Sequence, residues 1–305
     1  MREQLFDAGF LRRLEYLKLV ARQHTHSGVA GEHPSPKRGS SLEFAEYRHY
    51  QAGDDCRYID WHVFSRLERL VVKLFSAEED LTLHLLIDTS GSMGVGAPTT
   101  KLAYACKVAV ALAYIGLASH DRIGLATFHG RLERGPAPKS NRQHIFTLMD
   151  YCNRLQATGT TAFSDALAAY ARQCQSQSPG RSASRTAGLA VILSDLLDGA
   201  GYAAGLQALR ARRFDLVLIQ VLDPQELEPP PGGPLLLRDL ESSRSRRVEL
   251  DAALLMAYED RLQTYLRTLE RSCLRHGIEY LRTNTSVPVE DFILRYLRCG
   301  LHLRS

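Results

Sequence analysis

Apolar and polar positions along this chain change period repeatedly, and each change marks an element. From Asp7, a candidate N-cap, apolar residues recur at Phe10, Leu11, Leu14, Leu17, Leu19 and Val20, the spacing of an amphipathic helix. Residues 24–41 are rich in Gly, Pro, Ser and His and read as a loop. Residues 42–50, 57–64 and 70–75 alternate apolar with polar side chains around Gly53-Asp54-Asp55, which predicts short β-strands. A second β-like pair, 234–240 and 246–250, follows the break Pro229-Pro230-Pro231.

Between these segments the pattern becomes strand, helix, strand. Apolar runs at 81–87, 122–128, 189–193, 216–222 and 278–281 predict buried strands. Helical patterns at 101–119, 141–155, 164–175, 202–212, 250–276 and 289–297 separate or follow them. Alternation of this kind implies an α/β fold: a doubly wound, mostly parallel sheet with helices on both faces, plus a small β elaboration. The expected organisation is an N-terminal helix and loop (1–41), a β elaboration (42–79, sharing one small sheet with 229–250) and the α/β domain (80–305).

Composition narrows the function classes. Hydrophobic residues are 45% and charged residues 24% of 305, as in ordinary soluble globular proteins. The net charge of +4 comes with no dense basic run, so nucleic acid is not an expected partner; Arg244, Arg246 and Arg247 read as a solvated turn. Cys56, Cys106, Cys152, Cys174, Cys273 and Cys299 show neither CxxC nor zinc-ligand spacing and read as reduced thiols. Charges at Arg2, Glu3, Asp7, Arg12, Arg13 and Glu15 exclude a signal peptide's apolar core. The most apolar helical stretch, 108–118, falls short of the roughly 20 residues a membrane span needs. A cytoplasmic protein without a membrane span is the expectation.

Ligands of open parallel sheets gather at the carboxyl ends of the strands. Two predicted ends carry acids: Asp88-Thr89-Ser90-Gly91-Ser92 and Ser194-Asp195. A third polar loop, Thr158-Gly159-Thr160-Thr161, lies between predicted helices. An aspartate ending a buried strand, with hydroxyls two and four residues later and Gly91 permitting the bend, presents oxygen ligands on one side of a tight turn. Two carboxylates with three hydroxyls suit Mg²⁺ or Mn²⁺ completed by water better than a high-affinity calcium cage. The same first loop reads equally well as a turn in which Ser90 and Ser92 satisfy helix amides and Asp88 caps. His24, His26 and His33 lack a paired acid or a fixed helical spacing and make a poor metal set.

Asp-x-Ser-x-Ser after a buried strand, then a Gly-Thr loop, then an Asp after another strand, resembles the metal-ion-dependent adhesion site of von Willebrand factor A domains. The block 43–50, then Gly53-Asp54-Asp55, Arg57, Ile59-Asp60-Trp61, Arg66 and Val72-Lys73 resembles the MoxR-associated bacterial family called domain of unknown function fifty-eight. Asp121-Arg122-Ile123-Gly124-Leu125 and Leu222-Asp223-Pro224-Gln225-Glu226 extend the likeness to nearly the whole chain, in a short form without membrane spans. The resemblance implies that Ser90, Ser92 and Thr160 ligate the metal directly, with Thr161 an alternative to Thr160. It implies that Asp88 and Asp195 act through water or as outer acceptors. An acidic side chain from a client protein would fill an open coordination position, with a MoxR-type AAA+ ATPase as working partner in chaperone-like maturation or complex assembly. Leu196 stands where the family has glycine. Within the 43–73 block, Arg48, Asp54, Asp55, Arg57, Asp60 and Arg66 are expected to form an ion-pair network, and Trp61 to be core.

A binding module rather than an enzyme is therefore the expectation, with an esterase-type hydrolase using Ser92 as the alternative. Its elbow needs Gly-x-Ser-x-Gly, but position 90 is Ser, and His276 and His302 qualify as bases by order alone. A haloacid-dehalogenase-like phosphatase would need an acid at position 90, and no GxxxxGK[ST] sequence exists for an ATPase.

Overall fold

The computed structural model describes residues 5–6, 9–10, 12–15, 17, 42–51, 54–77, 81–176, 187–198, 201–229, 233–241 and 244–298. The His24, His26 and His33 loop, Cys299 and His302 lie outside them. The chain divides into two compact units, residues 28–80 with 302–305, and residues 1–27 with 81–301.

In the smaller unit, β1 (Leu42–His49) pairs antiparallel with β2 (Val71–Ala77), with a register shift between Phe44 and Glu46. The strand expected at 57–64 is instead a 3-10 turn, Cys56–Tyr58, followed by the short helix α1 (Trp61–Leu67). Asp60 decides this. Its carboxylate accepts the N–H groups of His62 and Val63 at 2.9 and 3.3 Å, an N-cap that outweighs the alternating pattern. The expected ion pairs form locally: Arg48 holds Asp54 with two bonds of 2.8 and 2.9 Å, and Arg57 holds Asp55. Asp60, buried, pairs with Lys73 at 3.0 Å and accepts the Tyr47 hydroxyl at 2.8 Å. Trp61, expected in the core, is 58% exposed and meets Phe64 edge-on.

The larger unit begins with a helical segment that buries Phe10, Leu14 and Leu17. Its elements in order are β3 (Thr82–Asp88), α2 (Lys101–Ala118), β4 (Arg122–Phe128), β5 (Leu132–Arg134), α3 (His144–Arg154), α4 (Phe163–Ser176), β6 (Gly188–Ser194) and α5 (Ala203–Ala211). Then come β7 (Phe214–Leu222), α6 (Pro224–Leu227), β8 (Gly233–Arg238), β9 (Ser245–Leu250), α7 (Ala252–Arg275), β10 (Glu279–Asn284) and α8 (Val289–Arg298). Six strands form one sheet in the order β10-β7-β6-β3-β4-β5, parallel except for β5 at the edge. Strands β8 and β9 pair only with each other, so the single small sheet expected from 42–79 and 229–250 is two separate two-stranded sheets. Residues 233–250 belong to the larger unit.

Side chains alternate across the pleat, so the sheet feeds two cores. Leu83, Leu85, Ile87, Val191 and Leu193 pack with α2, α3, α8 and the N-terminal segment. Leu86, Ala190, Ile192, Leu216 and Leu218 pack with α4, α5 and α7 on the other face. The fold is thus α/β with a six-stranded, mostly parallel sheet covered on both faces. Helix α2 runs 18 residues, longer than the apolar 108–118 stretch, and by length and composition passes as a membrane span; 72% of it is buried against the sheet and its neighbours.

Asp60 gives the smaller unit a pH signature. The Tyr47 hydroxyl and the Lys73 ammonium, in that order, outweigh its burial and hold its carboxyl well below the usual carboxylate range. A depressed carboxylate stabilises the fold above its unfolded pKa of about 4 and loses that contribution as pH falls towards the folded value. Asp60→Asn is expected to weaken this unit at pH 7, with the deficit closing at acid pH. The fluorescence of Trp61, the single tryptophan, reports the unit during denaturation. A deficit that persists undiminished at pH 2 would contradict the assignment.

Candidate metal centre

The chain leaves β3 in one direction to build β4 and returns to β3's other side to build β6, β7 and β10. The carboxyl ends of β3 and β6 therefore flank the switch point, where a crevice opens in doubly wound sheets. Register sets what meets there. Ile87 pairs with Leu193, so the next residues, Asp88 and Ser194, lie side by side. The Ser194 hydroxyl donates to Asp88 Oδ2 at 2.6 Å, and the Ser90 amide donates to Asp88 Oδ1 at 2.9 Å. Asp88, Ser90 and Ser194 are wholly buried.

Asp88 caps the turn of the first loop through the Ser90 amide, but Ser90 does not cap it. Ser90 precedes the 3-10 turn Gly91–Gly94 but makes no side-chain cap bond to it. Its Oγ lies 3.1 Å from Ser92 Oγ instead, which collects two hydroxyls beside Asp88. The third loop is laced to the first: Gly91 N donates to Gly159 O at 2.9 Å, and Thr158 N to Thr89 O at 2.8 Å. Thr160 is exposed, with its Oγ1 beside Gly130. Thr161 donates both its amide (3.0 Å) and its hydroxyl (2.6 Å) to Glu241. Asp88, Ser90 and Ser92 are thus drawn together, and the Thr160 loop is held to the same rim.

Asp195 is turned towards a different partner. Its Oδ2 accepts from Lys101 Nζ at 2.8 Å, and its Oδ1 caps Leu197 N at 3.2 Å. Lys101, at the start of α2, is fully buried and also reaches Glu226 Oε1 at 2.5 Å. Glu226 is itself fixed by the capping box of α6, in which Asp223 and Glu226 satisfy each other's backbone. Gln220 in β7 donates to Asp195 O at 2.9 Å. Leu196 takes φ +58°, the left-handed region that a glycine enters freely and that costs a branched residue roughly 1–2 kcal/mol. It is held there by burial, by Ser194 Oγ accepting its amide at 3.0 Å, and by Tyr265, whose hydroxyl donates to its carbonyl.

The electrostatics follow. Two carboxylates, Asp195 and Glu226, hold one ammonium, and Asp88 lies within the field of Asp195. Burial opposes the charge on Lys101, but Asp195 and Glu226 outweigh it and raise its pKa above the ordinary value. No cation pairs with Asp88 among the described residues. Burial first, then the charge of Asp195, push its pKa up to about 7, against the bonds from Ser194 and Ser90. A proton or a cation relieves this excess of negative charge. The oxygens able to hold a hard cation are Asp88, the Ser90 and Ser92 hydroxyls and a threonine of the third loop, with Asp195 behind them. Among the described residues no three His, Cys, Asp or Glu side chains form a chelating group.

Sequence reasoning missed Lys101, Ser194's bond to Asp88, Glu226 and Glu241. A lysine opening an otherwise apolar helix was the one available signal for Lys101. The hydrolase alternative gains nothing: His276 Nδ1 faces Ser272 O at 2.7 Å where α7 enters β10, at the edge of the sheet opposite Ser92.

An α/β protein with an acid- and hydroxyl-lined site at the switch point of a mostly parallel sheet is the class that fold and site define. The chain belongs to the DUF58 family, a protein family of unknown function, which it matches over residues 46–265. Uncharacterized proteins of Mycobacterium bovis and Mycobacterium tuberculosis are 31% identical over 256 residues, 83% of this chain and 78% of theirs. Among solved structures, similar chains include the conserved hypothetical protein BatB from Bacteroides thetaiotaomicron (14% identity, TM-score 0.45) and an aerotolerance-related membrane protein from Bacteroides fragilis (16%, TM-score 0.44). Each match covers 72% of this chain and 100% of the other. A membrane spanning protein from Vibrio fischeri matches at TM-score 0.25, with 15% identity, over 72% of this chain and 98% of its own. Two of these neighbours are described as membrane proteins, and the expectation of a cytoplasmic protein is not retained.

The raised pKa of Asp88 predicts how the metal-free protein responds to pH. Asp88 binds its proton more tightly folded than unfolded, so its effect on stability is most favourable below about pH 4. It worsens as pH rises through 7 and is constant above. In chelator, Asp88→Asn is expected to be more stable than the parent at pH 8, by on the order of 2 kcal/mol, and nearly equal at pH 4. Urea unfolding at the two pH values measures this, and an unchanged difference between them would remove the assigned pKa.

Proposed function

We propose that this protein is a metal-dependent protein-binding module of von Willebrand factor A-like type, taking Mg²⁺ or Mn²⁺ at the Asp88-Ser90-Ser92 loop. The observation that carries the reading is the buried Asp88 carboxylate, which lacks a cation of its own and faces two hydroxyls that cap no helix amide. A bound divalent ion would supply positive charge and an open position for an external carboxylate.

The chain's own residues do the rest. Ser194 and the Ser90 amide orient the Asp88 carboxylate, so its oxygens point where the hydroxyls converge. Lys101 offsets one of the two charges of Asp195 and Glu226, which lowers the negative charge that an acidic partner would meet. Thr160 or Thr161 contributes from the third loop; the commitment of the Thr161 hydroxyl to Glu241 favours Thr160. By resemblance, the partner offering the acidic side chain is a client protein, with a MoxR-type AAA+ ATPase acting beside it in maturation or complex assembly.

Titration of Mn²⁺ and Mg²⁺ into chelator-stripped protein is expected to give about one site per chain, with affinity reduced roughly tenfold or more by Ser90→Ala. Capture of a co-expressed MoxR-type ATPase or its client is expected to depend on the metal and to weaken in the same variant. Saturable binding that Ser90→Ala leaves intact would put the metal elsewhere. Turnover of generic esters without metal, lost in Ser92→Ala, would favour the hydrolase.

A further inference from the structure

The hairpin of β8 and β9 ends in a tip that lies on the site. Asp239 N donates to Arg244 O at 2.8 Å, and Asp239 Oδ1 accepts Glu241 N at 2.9 Å, which stiffens the turn. From this turn the Leu240 carbonyl oxygen presses on the first loop so closely that a Cβ at Gly91 would stand 2.9 Å from it. The Glu241 carboxylate reaches the third loop and takes Thr161 with both oxygens, one from the amide and one from the hydroxyl. An acidic side chain 80 residues away in sequence thus grips the rim to which a client's acidic side chain would come.

Among the described side chains of the hairpin, Leu236, Leu237 and Leu240 are exposed, so their burial does not draw the tip to the site. Two charge-assisted bonds from one carboxylate are the strong interactions there. They form with a loop residue that is itself a candidate ligand, which ties the tip's position to the state of the site.

We propose that the β8–β9 tip is an internal cap, with Glu241 occupying the place of an acidic client until the client displaces it. The inference rests on the reading of the site as a metal-dependent acceptor of carboxylates, and adds that access to it is gated by this chain's own residue. An incoming acidic group must break both bonds to Thr161, so its apparent affinity is reduced by the fraction of time the cap is closed. Removing the Glu241 carboxylate removes that competition and leaves the loops around Asp88 in place.

The test uses a short fluorescent peptide with one central glutamate, titrated into the full chain in saturating Mn²⁺ and again in chelator. Glu241→Ala is expected to bind it about tenfold more tightly than the parent, the equivalent of a 1.4 kcal/mol cap, with Glu241→Gln in between and binding lost in chelator. Circular dichroism checks that the variants stay folded. Peptide binding no tighter in Glu241→Ala, while the parent chain binds Mn²⁺, overturns the cap and leaves the metal-site reading standing. No Mn²⁺ binding by the parent overturns both.

Discussion

Placing a lysine ammonium in a protein interior is so costly that the groups around it must be arranged to offset its charge, and Lys101 imposes that requirement here. Fully buried at the start of α2, it draws Asp195 from the end of β6 and Glu226 from α6 into contact. Those two carboxylates more than balance one ammonium, and Asp88 at the end of β3 adds a third acid within reach of their field. The centre is therefore built with unmet negative charge. Its neighbours are hydroxyls, amides and one glutamine rather than further cations, so the excess persists for a proton or an ion to satisfy.

The scaffold makes that arrangement unavoidable. Parallel pairing of β3 with β6 in one register puts Ser194 beside Asp88, and the reversal of strand order at β3 leaves their carboxyl ends uncovered by a crossover. A slip of one residue would turn Asp88 to the other face and break its bond to Ser194. The loop after β6 is held under strain, with Leu196 in a left-handed conformation between a serine hydroxyl and a tyrosine of α7. The Leu196 side chain offsets that strain by packing into the core with α4 and α5.

Function in this reading is a matter of charge and access. The unmet negative charge would hold a divalent ion, the ion's own uncompensated charge would draw an external carboxylate, and the hairpin carrying Glu241 would limit its access. The smaller unit, with its exposed Trp61 and its own ion pairs, is a two-stranded sheet and short helix organised by Asp60. Arg48 pairs with Asp54 and Arg57 with Asp55 close by in the chain, while Asp60 pairs with Lys73.

What the sequence determined by itself is local: the apolar runs that become β3, β4, β6, β7 and β10, the helices between them, and the clustering of Asp88, Ser90 and Ser92 within five residues of one strand end. These are legible because side-chain period and turn chemistry are properties of near neighbours. The same logic failed at 57–64, where one side chain, Asp60, capped a helix and overrode the alternation. Tertiary structure alone decided that Ser194 rather than Asp195 holds Asp88, that Asp195 belongs to Lys101, and that Glu241 lies on Thr161. Each of those contacts joins residues between 80 and 106 positions apart. Only strand register, crossover direction and the balance of buried charge bring them together, and none of these is written in any short stretch of chain.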